Sequence, residues 1–220
     1  MGCIPEKGKV KKIKVLNLYA GIGGNRRLWQ NVEVTAVENY EPVADIYRQN
    51  FPADILIVGD ASEYLERHFR EFDFIWSSPP CQSHSKMAKA TRHTSRKIPD
   101  MTLYGHVLFL RNFFVGAWVV ENVRPYYMPL ILPDAQLGRH LFWTSHPVAH
   151  KEFERTVSFR LSDKPAEMER VKKAFGIEFD KNVYFPGKHS PGQVLRNCVE
   201  PEIGKYIFEE VTKNYAPAKH

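Results

Sequence analysis

The chain has 220 residues, 43% of them hydrophobic, with a formal net charge of +6 and a pI near 9.1. That is enough apolar material for one well-cored domain, and no apolar run approaches membrane-spanning length, so a soluble, cytoplasmic protein is expected. Three scattered cysteines, Cys3, Cys81 and Cys198, argue against a disulfide framework, no Cys/His spacing suits a metal, and the basic balance favours a polyanionic partner.

Residues 1–11 are a basic lead-in. Ile13, Val15, Leu16 and Leu18 mark a first strand that runs straight into Tyr19-Ala20-Gly21-Ile22-Gly23-Gly24. Asn25 is then placed to cap a helix through Arg26, Leu28 and Trp29. Strand, glycine turn and helix let a ligand approach backbone closely, although a lone G-x-G-G also occurs in many tight turns. A second strand, Val32 to Val37, ends at Glu38, where a carboxylate can accept from both hydroxyls of a ribose or simply face solvent. A helix over Glu41 to Asn50 is closed by Phe51-Pro52. Ile55 to Val58 is a third strand, ending in Gly59-Asp60, and Ala61 to Phe69 a second helix. A fourth strand, Phe72 to Trp76, leads into Ser77-Ser78-Pro79-Pro80-Cys81-Gln82-Ser83-His84-Ser85. This alternation predicts an α/β fold with a doubly wound, mostly parallel sheet.

Cys81 therefore follows a strand end, where open α/β sheets bind their ligands. The stiff Pro-Pro before it and the polar residues after it favour an accessible nucleophile over a small buried hydrophobe, and both remain open at this point. Residues 84–98 contain no acid, and Lys86, Lys89, Arg92, Arg96 and Lys97 sit there among Ser, Thr and His. Such a loop beside a nucleophile suits a phosphate backbone, as it also suits a solvated surface. Leu103 to Val115 reads as a helix, and Trp118 to Val120 as a fifth strand ending in Glu121-Asn122-Val123. Residues 126–133 are irregular, and Gly138-Arg139-His140 precede a strand over Leu141 to Thr144. Glu167 to Phe175 and Pro201 to Lys213 close the chain as helices, the latter preceded by Arg196-Asn197-Cys198-Val199. Cys81, Glu121, Glu38 and Asp60 thus gather along one edge of the sheet.

In that order and spacing the chain resembles the cytosine-5 DNA methyltransferases, which use S-adenosyl-L-methionine on a class I, Rossmann-like methyltransferase fold. The segment Leu18 to Gly24 is similar to the family's cofactor loop, Pro80-Cys81-Gln82 to its nucleophile motif and Glu121-Asn122-Val123 to the motif of its catalytic glutamate. The resemblance implies a cofactor pocket built from Tyr19, Ala20, Gly21, Ile22, Gly23 and Gly24. Glu38 with Asn39, Asp60 with Ala61, and Pro80 would add to it, as would Asn197 with Cys198 from a late motif, Gln193 to Val199. It implies Cys81, Glu121 and Arg139 as the catalytic set, with nearby basic residues favouring the thiolate of Cys81. It also implies that Gln82, Ser85 and the five basic residues of the 84–98 loop contact nucleic acid.

Three departures stand out. Asn17 replaces an acid usual before the aromatic of the first motif, the arginine motif is reduced to Arg139, and the variable recognition region is confined to residues 145–196. The expectation is a single catalytic domain over residues 1–220 acting on DNA, with a short or relaxed target context and base flipping of a duplex target. The same chemistry on RNA is the alternative. So is a nucleic-acid-binding relative that relies on a partner chain or a homo-oligomer for recognition.

Overall fold

A computed structural model describes residues 11–85, 98–153, 163–186, 190–213 and 215. Lys86, Lys89, Arg92, Arg96 and Lys97 lie outside them. Seven strands form one sheet: β1 (Ile13–Leu18), β2 (Val32–Glu38), β3 (Ile55–Val58), β4 (Phe74–Ser77), β5 (Ala117–Val123), β6 (Ala135–Leu137) and β7 (His140–Thr144). Their order is β3-β2-β1-β4-β5-β7-β6, parallel through β5 and antiparallel for β7 and β6. This is the expected Rossmann-like, class I arrangement.

Alternation along the central strands sorts side chains to two faces. Leu16, Leu18, Ile75, Trp118 and Val120 meet α2 (Ala61–His68) and α3 (Thr102–Phe113) on one face. Val15, Phe74, Trp76, Val119 and Phe142 point the other way, onto Ile203, Ile207, Phe208 and Val211 of the C-terminal helix Pro201–Thr212. Each such fully buried side chain contributes about 1.5–3 kcal/mol of transfer free energy, so both layers are strongly held.

A third cluster joins α1 (Glu41–Asn50) to α4 (Pro165–Phe175) and to the following residues Ile177, Phe179 and Val183. Asn50 ties this region down, because its side chain exchanges hydrogen bonds with the backbone of Glu178. Much of the interval reserved in sequence for recognition is therefore spent on core. A short helix, α5 (Gln193–Arg196), precedes the 12-residue helix Pro201–Thr212, here α6, and a 3-10 turn, Phe69–Glu71, follows α2.

The helix expected after the glycine turn does not form; residues 21–28 are successive turns. Asn25 does not cap. Its Nδ2 donates to Asn17 Oδ1 at 2.8 Å in the interior. Helix α6 sits directly on this backbone, for a Cβ on Gly204 would come within 2.4 Å of the Asn25 carbonyl oxygen. Trp29 is buried below, its indole N–H donating to the Gly204 carbonyl. Side-chain burial and close backbone packing thus override the local preference for a helix.

Candidate active site

Strand order reverses between β1 and β4, and the crevice of an open sheet lies at such a switch point. The glycine turn leaves β1 there and Ser78-Pro79-Pro80-Cys81 leaves β4, the two held together by Ser78 N–H donating to the Leu18 carbonyl. A cavity of about 1360 Å³ opens above them. Ordinary small-molecule sites occupy ~300–1,000 Å³, so this one has room for a nucleoside-sized cofactor and a second ring.

One half of the cavity is a cradle of turning backbone. Gly21 has φ of 55° and nothing within 4 Å of where a Cβ would stand, so the turn leaves open space for a ligand against bare backbone. Glu38 is buried and fixed by two backbone donors, Gly21 N–H at 3.0 Å and Tyr40 N–H at 3.0 Å. Its carboxylate keeps further lone pairs for a diol, and burial raises its pKa. Tyr19, Ala20 and Ile22 line the same wall. Tyr19 is oriented by its hydroxyl, 2.9 Å from Ser62 Oγ, and Ser62 in turn meets a buried His106 whose pKa falls to about 4 through desolvation.

Asn39, Pro80, Asn197 and Cys198 also reach the cavity. Cys198 is a buried packing group as well, since a Cβ on Gly24 would strike its Cβ at 2.9 Å and the Val199 carbonyl at 2.5 Å. These residues fit a nucleoside cofactor of the S-adenosyl-L-methionine type. Three expected contacts are placed elsewhere. Gly23 lies under the Phe51 ring, Ala61 is buried in the α2 layer, and neither it nor Asp60 lines the cavity. Asp60 instead caps α2, accepting from Glu63 N–H at 2.8 Å.

The other half carries a cysteine and a carboxylate. Cys81 is half-buried and lines the cavity together with Glu121. Asn122 couples them: its Nδ2 donates to the Pro79 carbonyl at 2.9 Å, while its Oδ1 accepts from Val123 N–H at 3.0 Å. The chain beyond Cys81 turns at once, with the N–H groups of His84 and Ser85 both donating to the Cys81 carbonyl. His84 then anchors the turn, its Nδ1 2.6 Å from the Tyr127 hydroxyl. Contrary to the expected thiolate, burial and the Glu121 charge push the Cys81 thiol up to about 11, with Arg139 offsetting part of this. In the free protein the sulfur is protonated at neutral pH.

Sequence reasoning placed Arg139 in the catalytic set and overlooked His140. Arg139 lines the cavity, but its Nε donates to His140 Nε2 at 3.1 Å, and its Nη2 donates to the carbonyls of Arg196 and Cys198. Buried His140 places Nδ1 2.5 Å from Glu121 Oε1. Arg124, Gln136 and Phe185 were also missed. Exposed Arg124 adds a cation at the mouth, near Gln82 and Ser85. Phe185 stacks on Tyr40 at 5.5 Å beside Glu38 and Asn39.

The sequence profile of the C-5 cytosine-specific DNA methylases matches residues 13–125, just over half of the chain and all of the segment carrying the cradle, Cys81 and Glu121. The chain belongs to this family. The chain is 33% identical over 113 residues to a ribosomal RNA large subunit methyltransferase K/L of Pseudoalteromonas atlantica, covering 47% of this chain and 15% of that protein. It is 24% identical over 132 residues to the DNA (cytosine-5)-methyltransferase PliMCI of Paracentrotus lividus, covering 51% of this chain and 8% of that one. The chain thus spans a small fraction of these relatives. The solved Entamoeba histolytica methyltransferase EhMeth superposes with a TM-score of 0.53 at 12% identity, over 94% of this chain and 100% of its own, which supports the fold. Among the described residues no helix is long and apolar enough to cross a membrane, and no cluster of metal-ligating side chains is present.

Proposed function

We propose that this chain transfers a methyl group to C5 of cytosine in DNA through a covalent Cys81–C6 adduct, and that it does so as one catalytic domain. The observation that carries this is the Asn122–Pro79 lock, which holds a cysteine and a buried glutamate on one wall of a cavity whose other wall is a glycine cradle closed by Glu38. Cytosine C5 is a weak nucleophile. Addition of the Cys81 sulfur to C6 breaks the ring's aromaticity, and the displaced π electrons make C5 enamine-like. Glu121 gives N3 a proton as that charge develops and accepts from the exocyclic amine. S-adenosyl-L-methionine, when bound in the cradle, supplies the electrophilic methyl group. Loss of the C5 proton to water then re-forms the C5–C6 double bond, Cys81 leaves as thiolate, and N3 returns its proton to Glu121.

The raised Cys81 thiol means that the sulfur must give up its proton as the C–S bond forms; lost water and incoming phosphates disfavour a free thiolate, so that proton passes through water to the Glu121 carboxylate, which then supplies it to N3. A duplex target has to present the ring face to Cys81 and so requires base flipping. Arg124, Gln82 and Ser85 at the mouth, with Lys86, Lys89, Arg92, Arg96 and Lys97, supply the backbone contacts. Packing of residues 165–183 on α1 leaves little chain for base-edge readout, which favours a short target context or a partner that adds recognition. RNA is the second substrate reading, favoured by the relative named for ribosomal RNA. Tritiated methyl transfer to DNA and RNA in parallel decides between them. DNA labelled at cytosine C5 supports the proposal, and label in RNA alone transfers it to the second reading. Label in neither, with cofactor bound, overturns catalysis by the isolated chain.

A further inference from the structure

Arg139, His140 and Glu121 form a chain of hydrogen bonds that ends in the reactive half of the cavity. Strands β5 and β7 pair antiparallel with Glu121 opposite Phe142 and Val123 opposite His140. Glu121 and His140 are thus diagonal neighbours on one face, close enough for their side chains to meet. His140 Nδ1 lies 2.5 Å from Glu121 Oε1, and both residues are nearly inaccessible. On the far side of the ring, Arg139 Nε lies 3.1 Å from His140 Nε2. The guanidinium cannot swing away, because its Nη2 is held by the carbonyls of Arg196 and Cys198.

Donor and acceptor chemistry then fixes the tautomer of His140. A guanidinium nitrogen only donates, so His140 Nε2 must be the acceptor. A neutral imidazole with Nε2 unprotonated carries its hydrogen on Nδ1. His140 therefore donates to Glu121 Oε1. With its lone pair engaged by Arg139 Nε, His140 Nε2 has no place for a hydrogen of its own while that bond stands. Among the described residues Glu121 Oε2 has no hydrogen-bond partner, and Glu121 lines the cavity, so Oε2 is the oxygen offered to a ligand.

We propose that His140 is a positioning residue for Glu121, locked by Arg139 in its Nδ1–H tautomer so that Oε1 is anchored and the mobile proton of the reaction stays on Oε2. This rests on the methyl-transfer reading above and deepens it. A neutral donor anchors the carboxyl group without adding charge to it, and the locked tautomer prevents the imidazole from taking the proton that N3 needs. The late turn 196–198 takes part through Arg139, so the segment that borders the cofactor also holds the relay.

Two measurements test this. The first is nitrogen-15 NMR of histidine-labelled protein, with His140 assigned by its absence in His140→Asn. The expected spectrum shows Nδ1 protonated and Nε2 unprotonated in the wild type, and loss of that state in Arg139→Gln. A wild-type Nε2–H tautomer, or one unchanged by Arg139→Gln, overturns the lock. The spectrum does not depend on activity, so it judges the relay even where methyl transfer fails.

The second is single-turnover methyl transfer. His140→Ala is expected to lower the rate about 100-fold, the scale of a misplaced acid group, with cofactor affinity within about twofold. His140→Asn keeps an amide donor near the Nδ1 position and is expected to recover most of that rate. Equal rates for the Ala and Asn variants, or an Ala variant as fast as the wild type, overturn the positioning role. Where the Ala variant does not fold, the Asn variant and the spectrum still decide. A wild type that labels no nucleic acid refutes the methyl-transfer reading and leaves the relay to the spectrum.

Discussion

Replacing Asn122 by Ala probes how the site is held together. Asn122 is 1% exposed, and its side chain serves the Pro79 carbonyl and the Val123 amide at once. Alanine leaves both backbone groups without their partner. An unsatisfied buried group costs about 1–3 kcal/mol, and partial relaxation of one of them brings the total to about 3 kcal/mol. For a chain of this size each kcal/mol lowers Tm by ~2–4 °C, so a fall of about 6–12 °C is expected. Function should suffer more than stability. The Pro79 carbonyl lies two residues before Cys81, and a displacement of ~1 Å at the reacting atom costs about 100-fold in rate. Cofactor affinity should stay within about twofold, because Gly21 and Glu38 do not touch Asn122. Thermal unfolding, single-turnover methyl transfer and cofactor calorimetry on one preparation separate these effects. An unchanged rate accompanied by the expected fall in Tm would refute the idea that this bond positions Cys81. An unchanged Tm would refute the hydrogen-bond account itself.

Burial that pushes the Cys81 thiol up to about 11 should make iodoacetamide modification at pH 8 roughly 100-fold slower than for a free thiol, rising as pH approaches 11; equal rates at pH 8 would contradict it. Glu38→Ala should weaken S-adenosyl-L-methionine binding by about 1–3 kcal/mol, read by calorimetry. The Glu38 pKa is raised, so the binding carboxylate is present above that pKa and wild-type affinity should fall with acidification earlier than for an ordinary carboxylate. Substrate affinity should drop steeply with salt, and Arg92→Ala with Arg96→Ala should weaken all sequences about equally while reducing the salt slope by up to ~0.9 per lost phosphate contact; loss confined to one sequence would give these residues a base-reading role instead.

The parallel half of the fold was legible because buried strands announce themselves as short apolar runs bounded by Gly, Pro and Asp. The positions of Cys81, Glu121 and Glu38 followed from strand ends alone, since an open sheet gathers its carboxyl ends at one edge. Strand β6 was not legible. It has only three residues, Ala135 to Leu137, and gains its identity from pairing with β7. The missing helix after Gly24 reflects tertiary packing by Gly204, which no local pattern encodes. Asp60 looked like a ligand contact at a strand end, yet the same position is a helix N-cap, and its Oδ1 accepts from the Glu63 amide. His140 was hidden for a different reason. Period-two alternation places it on the face of Phe142, but its approach to Glu121 depends on the antiparallel register between β5 and β7. Register between distant strands has no signature in one sequence. Phe185 likewise reaches the cavity only through the packing of α4 and the residues after it on α1.

The central claim is that Cys81 forms a covalent bond to the target base. The direct measurement is trapping on 5-fluorocytosine-containing duplex DNA in the presence of S-adenosyl-L-methionine, with the equivalent RNA in parallel. Fluorine at C5 leaves no proton to remove, so the adduct cannot collapse. The account predicts a denaturation-resistant complex whose linkage maps by peptide mass to Cys81, and no such complex with Cys81→Ser although the cofactor still binds. Trapping that survives in Cys81→Ser, or that maps to Cys198, would contradict it.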